Sequence, residues 1–143
     1  MSLVKEILNR KGHDVATVGP QESVMEAVRR MHEHNIGGML VVENGAVVGI
    51  FSERDLLNRI VFKGLDPEKT PVSQVMSSPV AYVNPETEIA ECRMAMTQKR
   101  IRHLPVIQEG KLVGVISIGD IVAWELAEQQ TTIKYLNQYI YGR

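Results

Sequence analysis

The chain of 143 residues has one cysteine, Cys92. A single thiol excludes an internal disulfide framework and a cysteine-rich zinc site, and it fits a reducing compartment. An excess of either charge is also missing, because Lys and Arg total 16 against 17 Asp and Glu, a formal net charge of −1. Such a chain has no bulk field to hold a polyanion, so nucleic acid is not an expected partner, whereas a small anion remains one. Long hydrophobic runs are absent too. The apolar stretches MLVV and VVGIF are far shorter than a membrane span, and MSLVKEILNRKGH lacks the apolar region of a secretion signal. The expectation is a soluble, uncleaved, cytoplasmic protein. At this length folding removes roughly 68–70 % of the unfolded surface, so a core forms without covalent staples.

What the sequence does contain is itself, twice. Val15–Ile60 aligns with Val80–Glu125 without a gap, and Val15/Val80, Val18/Val83, Pro20/Pro85, Val41/Val106, Gly49/Gly114, Ser52/Ser117 and Asp55/Asp120 are among the identities. With only two copies, this is a duplicated supersecondary unit forming one body rather than a solenoid. Each copy starts with an extended segment, VATV or VAYV. A helix follows, and Asn84-Pro85 with Glu86 and Glu88 predicts its start in the second copy. Val24, Ala27, Val28 and Met31, then Ile89, Cys92 and Met96, form inward faces at helical spacing. Two apolar runs come next, separated by Glu43-Asn44-Gly45 and Gln108-Glu109-Gly110, which are hairpin signals. LLNRIVF and IVAWELA then return to helical spacing. The repeat is therefore β-α-β-β-α.

KGLDPEKTP reads as a surface connection between the copies, and PVSQVM after it matches the N-terminal LVKEIL at a slightly different offset. Each unit thus begins with a short amphipathic helical turn. In the tail, Ile133, Leu136, Tyr139 and Ile140 fall at helical spacing, an apolar face that a second subunit would cover.

The chemistry lies in the repeated G-x-x-S-x-x-D, GIFSERD from Gly49 and GVISIGD from Gly114. One reading is a capping box, in which the serine accepts from a backbone N–H and the acid reaches back. The other is a nucleotide pocket. At a strand-to-helix junction, backbone N–H groups and a serine hydroxyl can donate to phosphate, while the aspartate accepts from both hydroxyls of a ribose.

The duplicated unit, the paired motifs and IRHLPV at Ile101–Val106 resemble a tandem pair of CBS domains of the standalone type. The resemblance implies a mixed α/β fold with two repeats related by a pseudo-twofold axis. Residues 1–66 would be the first repeat with its lead-in helix, 67–130 the second, and 131–143 a helical tail at a dimer interface. It assigns Asp55 and Asp120 to ribose hydroxyls, and Ser52 and Ser117 to ribose or phosphate. Val15, Thr17 and Met39 would line one cleft between the units, and Val80, Tyr82 and Pro105 the other. Arg102 and His103 would contact phosphate. The first copy departs from the pattern, with Gly37, Gly38 and Leu40 where the second has Arg102, His103 and Pro105. It carries instead Arg54 inside its motif, a guanidinium suited to bidentate phosphate binding. The two clefts should therefore differ in affinity or ligand.

The histidines make no metal set, since His32 and His34 point different ways on one helix and His13 has no neighbour in sequence. Cys92 and the methionines Met25, Met31, Met94 and Met96 read as packing, and Trp124 as the anchor of the last helix. No cofactor is required on this reading. The resemblance implies a non-enzymatic regulatory homodimer that binds an adenine nucleotide, with AMP or ATP first, ADP, NAD(H) or S-adenosylmethionine as further candidates, and a protein effector. The competing reading is an interaction scaffold whose motifs are only capping boxes; an enzyme ranks last.

Overall fold

The computed structural model describes the backbone of residues 1–141. Tyr139 and Ile140 of the tail stripe lie outside the residues whose side chains are described. The elements run α1 (Val4–Lys11), β1 (Thr17–Val18), α2 (Val24–His34), β2 (Gly38–Glu43), β3 (Ala46–Ser52), α3 (Glu53–Asp55), a π-helical turn (Leu56–Val61), α4 (Val72–Val75), α5 (Ile89–Lys99), β4 (His103–Gln108), β5 (Lys111–Ser117) and α6 (Ile118–Tyr141).

Both hairpins form where the sequence places them. Their turns carry Asn44 and Gly45 at φ 54° and 81°, and Glu109 and Gly110 at φ 53° and 79°. Two consecutive left-handed residues make a type I′ turn, whose twist matches that of the flanking strands. Each hairpin also slips register at the same place. Val41 pairs with Gly49 but Val42 with Val47, and Val106 with Gly114 but Ile107 with Leu112, so Val48 and Val113 are bulged.

The first extended segment behaves differently in the two copies. β1 pairs parallel with β2, Thr17 opposite Leu40 and Val18 opposite Val41. In the second copy only one bridge survives, Val83 with Val106. The residue matching Leu40 is Pro105, which has no N–H to donate to the neighbouring strand, so the ladder shrinks by one rung.

The helix expected from Asn84-Pro85 starts later, at Ile89. Asn84 caps a turn instead, its Oδ1 accepting from Glu86 N at 2.8 Å and its carbonyl from Thr87 N at 3.0 Å. The carbonyls of Pro85 and Thr87 are committed elsewhere. They accept from Lys5 N at 3.0 Å and Val4 N at 2.9 Å, satisfying the free donors at the head of α1. Pro20 and Glu22 do the same for Ser73 N and Val72 N at the head of α4, both at 2.9 Å.

This arrangement crosses the units over. Val4, Ile7 and Leu8 of α1 are buried with Ile89, Cys92, Met96, Leu104, Val106, Ile116 and Ile121, the core of the second copy. Val72 and Val75 of α4 are buried with Val18, Val24, Ala27, Met31, Met39, Val41 and Phe51, the core of the first. Each lead-in helix completes the other unit's core. Burying one such side chain is worth about 1.5–3 kcal/mol, so neither copy is self-sufficient. Gly49 and Gly114 permit the close approach, because a Cβ at Gly49 would strike the Met76 side chain and one at Gly114 would lie 2.6 Å from Leu8 Cδ2.

Candidate functional site

Both Ser–Asp pairs form the capping box. Ser52 N donates to Asp55 Oδ2 at 3.0 Å and Asp55 N to Ser52 Oγ at 3.4 Å. In the second copy Ser117 N donates to Asp120 Oδ2 at 2.9 Å and Asp120 N to Ser117 Oγ at 3.0 Å. The serine leaves a strand in extended conformation and the aspartate completes the first helical turn, which brings the two together.

Beyond the box the pairs diverge. Asp55 is 6 % exposed and fully engaged. Ser52 Oγ donates to its Oδ2 at 3.2 Å, Ser77 Oγ to its Oδ1 at 3.0 Å, and Arg59 Nε stands 3.8 Å from Oδ1. Ser77 is itself fixed, its backbone exchanging bonds of 2.8 and 3.0 Å with Ile50. Arg59 Nη1 donates to the carbonyls of Val75 and Met76 at 3.0 and 2.9 Å and locks α4 in place.

Asp120 is less enclosed, its side chain 24 % exposed. Its Oδ2 accepts from Lys11 Nζ at 2.7 Å, and Lys11 also donates to the Val115 carbonyl at 3.0 Å. Among the described residues its Oδ1 accepts no hydrogen bond. Burial disfavours the charge on Asp120, yet the ammonium of Lys11 and the Ser117 N–H more than offset this and hold the carboxyl below its ordinary range. Lys11 is present because the segment from Val4 to Val15 is three residues longer than that from Val72 to Val80. The extra length extends α1 by a turn relative to α4.

Lys11 and Ser117 line a cavity of about 310 Å³ between the units. His103 and Val115 complete their side of it, and Val15, Ala16, Ile36, Gly38, Met39, Leu40 and Ile50 supply an apolar wall from the first unit. Asp14 and His34 also border it. The size is at the lower end of the roughly 300–1,000 Å³ typical of small-molecule sites. Burial pushes the His103 imidazole below its ordinary value; Lys11 and Arg102 add to the shift and Asp120 opposes it.

A second cavity of about 470 Å³ is lined by Val47, Val48, Ser78, Pro79, Val80, Tyr82, Pro105 and Ile107. The structure thus brings Val15, Met39, His103 and Ser117 together in one cleft and Val80, Tyr82 and Pro105 in the other. Thr17 is in neither lining; its carbonyl accepts from Arg30 Nη1 at 2.8 Å. Ser52, Asp55 and Asp120 border neither cavity, although Asp120 reaches the first through its partners Lys11 and Ser117, and Arg54 and Arg102 are exposed and outside both linings. Sequence reading missed Lys11, whose signal is the unequal offset of LVKEIL and PVSQVM, and Ser77, which has no local signal.

CBS-domain models match residues 4–62 and 72–127. The chain belongs to the CBS-domain family. The CBS domain-containing protein YhcV of Bacillus subtilis is 35 % identical over 129 residues, covering 90 % of this chain and 89 % of the relative. The mitochondrial CBS domain-containing protein CBSX3 of Arabidopsis thaliana is 37 % identical over 126 residues, 85 % of this chain, which spans 61 % of that protein's length. A CBS-domain protein of Burkholderia ambifaria has a solved structure with TM-score 0.84 and 39 % identity, covering 90 % of this chain and 96 % of that one. The same fold occurs, at 23 % identity and TM-score 0.77 over 90 % and 98 % of the two chains, in a CBS pair solved with 5′-methylthioadenosine and S-adenosyl-L-methionine. CBS-domain pairs are regulatory modules. Among the described residues no helix is long and apolar enough to cross a membrane, and no cluster of His, Cys, Asp or Glu could hold a metal.

Proposed function

We propose that this CBS pair is a non-enzymatic regulatory module that takes one adenine nucleotide per chain, in the cleft lined by Lys11, His103 and Ser117, with Asp120 as the ribose acceptor at its edge. The observation that carries the reading is the unequal state of the two aspartates. Asp55 is saturated by its own chain, whereas Asp120 keeps an oxygen free, and its two partners Lys11 and Ser117 line a cavity with an apolar wall. A carboxylate oxygen can accept from a ribose hydroxyl, the apolar wall of Val15, Met39 and Leu40 suits a nucleobase, and the Ser117 hydroxyl suits the sugar or phosphate. The volume favours a mononucleotide, AMP before ATP or a dinucleotide. The neighbour solved with 5′-methylthioadenosine and S-adenosyl-L-methionine supports an adenosine compound as the ligand class.

The module works as a homodimer. Val122, Leu126, Ile133 and Leu136 are 48, 52, 59 and 47 % exposed, and at their spacing they make one stripe along α6. Ligand in the cleft touches both units and shifts their arrangement only as far as it prefers one state, which an effector protein reads.

Titration calorimetry with AMP, ADP, ATP, NAD and S-adenosylmethionine, on protein unfolded and refolded to strip carried ligand, tests the reading. One site per chain is expected, lost in Asp120→Ala and kept in Asp55→Asn. If no adenine compound binds, the competing reading stands, a scaffold whose two capping boxes, both formed in the structure, are purely structural.

A further inference from the structure

We infer that Lys11, paired with the carboxylate that would accept the ribose, must hand itself to a phosphate when ligand enters, so the site selects nucleotides over nucleosides. The inference rests on the cleft reading above. Lys11 Nζ sits 2.7 Å from Asp120 Oδ2, the oxygen that a ribose diol would share with Oδ1. Its side chain is 33 % exposed and that of Asp120 24 %, so the pair is largely withdrawn from water.

A neutral nucleoside that took both carboxylate oxygens would strip the ammonium of its counter-ion and leave it with the Val115 carbonyl alone. A partly buried charge without a partner is costly. A nucleotide brings its own replacement. Its phosphate lies within the compass of a flexible four-carbon stem that already lines the cavity, and the ammonium exchanges one anion for another. Asp14, His34 and His103 also border the cavity, His103 held toward its neutral form by burial, and Lys11 is the one lysine or arginine in the lining, Arg54 and Arg102 being exposed outside it. This composition suits a single phosphate better than a chain of three.

The exchange also has a route out of the cleft. Lys11 is the last residue of α1, and its neighbour Arg10 lies 4.4 Å over the Trp124 ring of α6. Moving the ammonium loads the one turn that α1 has beyond α4.

The test is calorimetry of the full chain with adenosine and AMP as probes, on wild type, Lys11→Met and Lys11→Arg. Wild type is expected to prefer AMP by on the order of tenfold or more, the size of one charge-assisted hydrogen bond. Lys11→Met keeps the stem and removes the charge; it should weaken AMP, strengthen adenosine and bring the ratio near one. Lys11→Arg should restore a preference for AMP. An unchanged ratio in Lys11→Met, or equal binding of both probes by wild type, overturns the role of Lys11 and leaves the cleft standing. Binding of neither probe to wild type overturns this inference, and overturns the cleft reading with it when ADP, ATP, NAD and S-adenosylmethionine also fail to bind.

Discussion

The two aspartates that look alike in sequence should fail in different ways when removed. In Asp55→Ala the capping box loses its reciprocal half, while Ser52 still caps the N–H of residue 55. The Ser77 hydroxyl, 3.0 Å from Asp55 Oδ1, and the Ser52 N–H, 3.0 Å from Oδ2, are left without acceptors in a part-buried setting. Two such orphaned groups at about 1–3 kcal/mol each, toward the low end at part burial, give roughly 3 kcal/mol in all. At about 3 °C per kcal/mol for a chain of this size, the melting temperature should fall by about 10 °C. Asp120→Ala loses the acid half of its box and a partly exposed ion pair but keeps the Ser117 cap, about 1 kcal/mol after screening, or about 3 °C. The ligand response should run the other way. AMP at 100 times its dissociation constant adds about 2.7 kcal/mol, or about 8 °C. That gain should persist in Asp55→Ala and vanish in Asp120→Ala. Differential scanning fluorimetry with and without AMP reads both effects on the same samples. Equal melting of the two variants, or loss of the AMP shift in Asp55→Ala alone, would refute the division of labour.

Three further outcomes follow from the same contacts. Gly49→Ala should cost about 1–3 kcal/mol, because its Cβ would meet the Ser77 carbonyl at 3.2 Å as well as Met76, and that carbonyl is held by Ile50 N–H at 3.0 Å. Gly114→Ala has only Leu8 side-chain atoms to displace, so its urea midpoint should fall less. Cys92 is fully buried and burial pushes its thiol up to about 11, so a disulfide reagent at pH 8 should label it only at the rate of opening. His103 has its folded pKa depressed, so the unfolded chain binds its proton first as pH falls. The stability that this contributes is present above about pH 6.5 and lost below it, and His103→Gln should flatten urea stability between about pH 7 and 5.

The repeat was legible because its identities stay in register, and the hairpins because Asn44-Gly45 and Glu109-Gly110 supply left-handed residues where a two-residue turn needs them. The inward faces of α2 and α5 were legible for the same local reason. Periodicity says that Val4, Ile7 and Leu8 need a cover but not which surface provides it; their place in the second unit's core depends on carbonyls of Pro85 and Thr87, far along the chain. The late start of α5 has the same origin, since Asn84-Pro85 carries a helix-start pattern whose carbonyls tertiary structure spends on α1. Asp55 is the sharpest case. Its motif is identical in kind to that of Asp120, and what closes it is a serine 22 residues away in sequence.

Two copies of one motif need not remain two copies of one site, and here chain length decides which is which. The longer first lead-in carries α1 far enough for Lys11 to reach Asp120, while the shorter second one leaves α4 after Val75 and passes Ser77 alongside β3. The two stand-ins differ in how they are held. Lys11 arrives on a flexible stem and is partly solvated, so a ligand can trade its own charge for the carboxylate. Ser77 arrives on a backbone paired in both directions with Ile50, beneath the Arg59 clamp on Val75 and Met76. Turning its hydroxyl away would free one oxygen of Asp55 but would not move the strand that covers it. Opening that second pocket therefore requires breaking the Ile50–Ser77 bridge, which places its cost with local unfolding rather than with side-chain rearrangement.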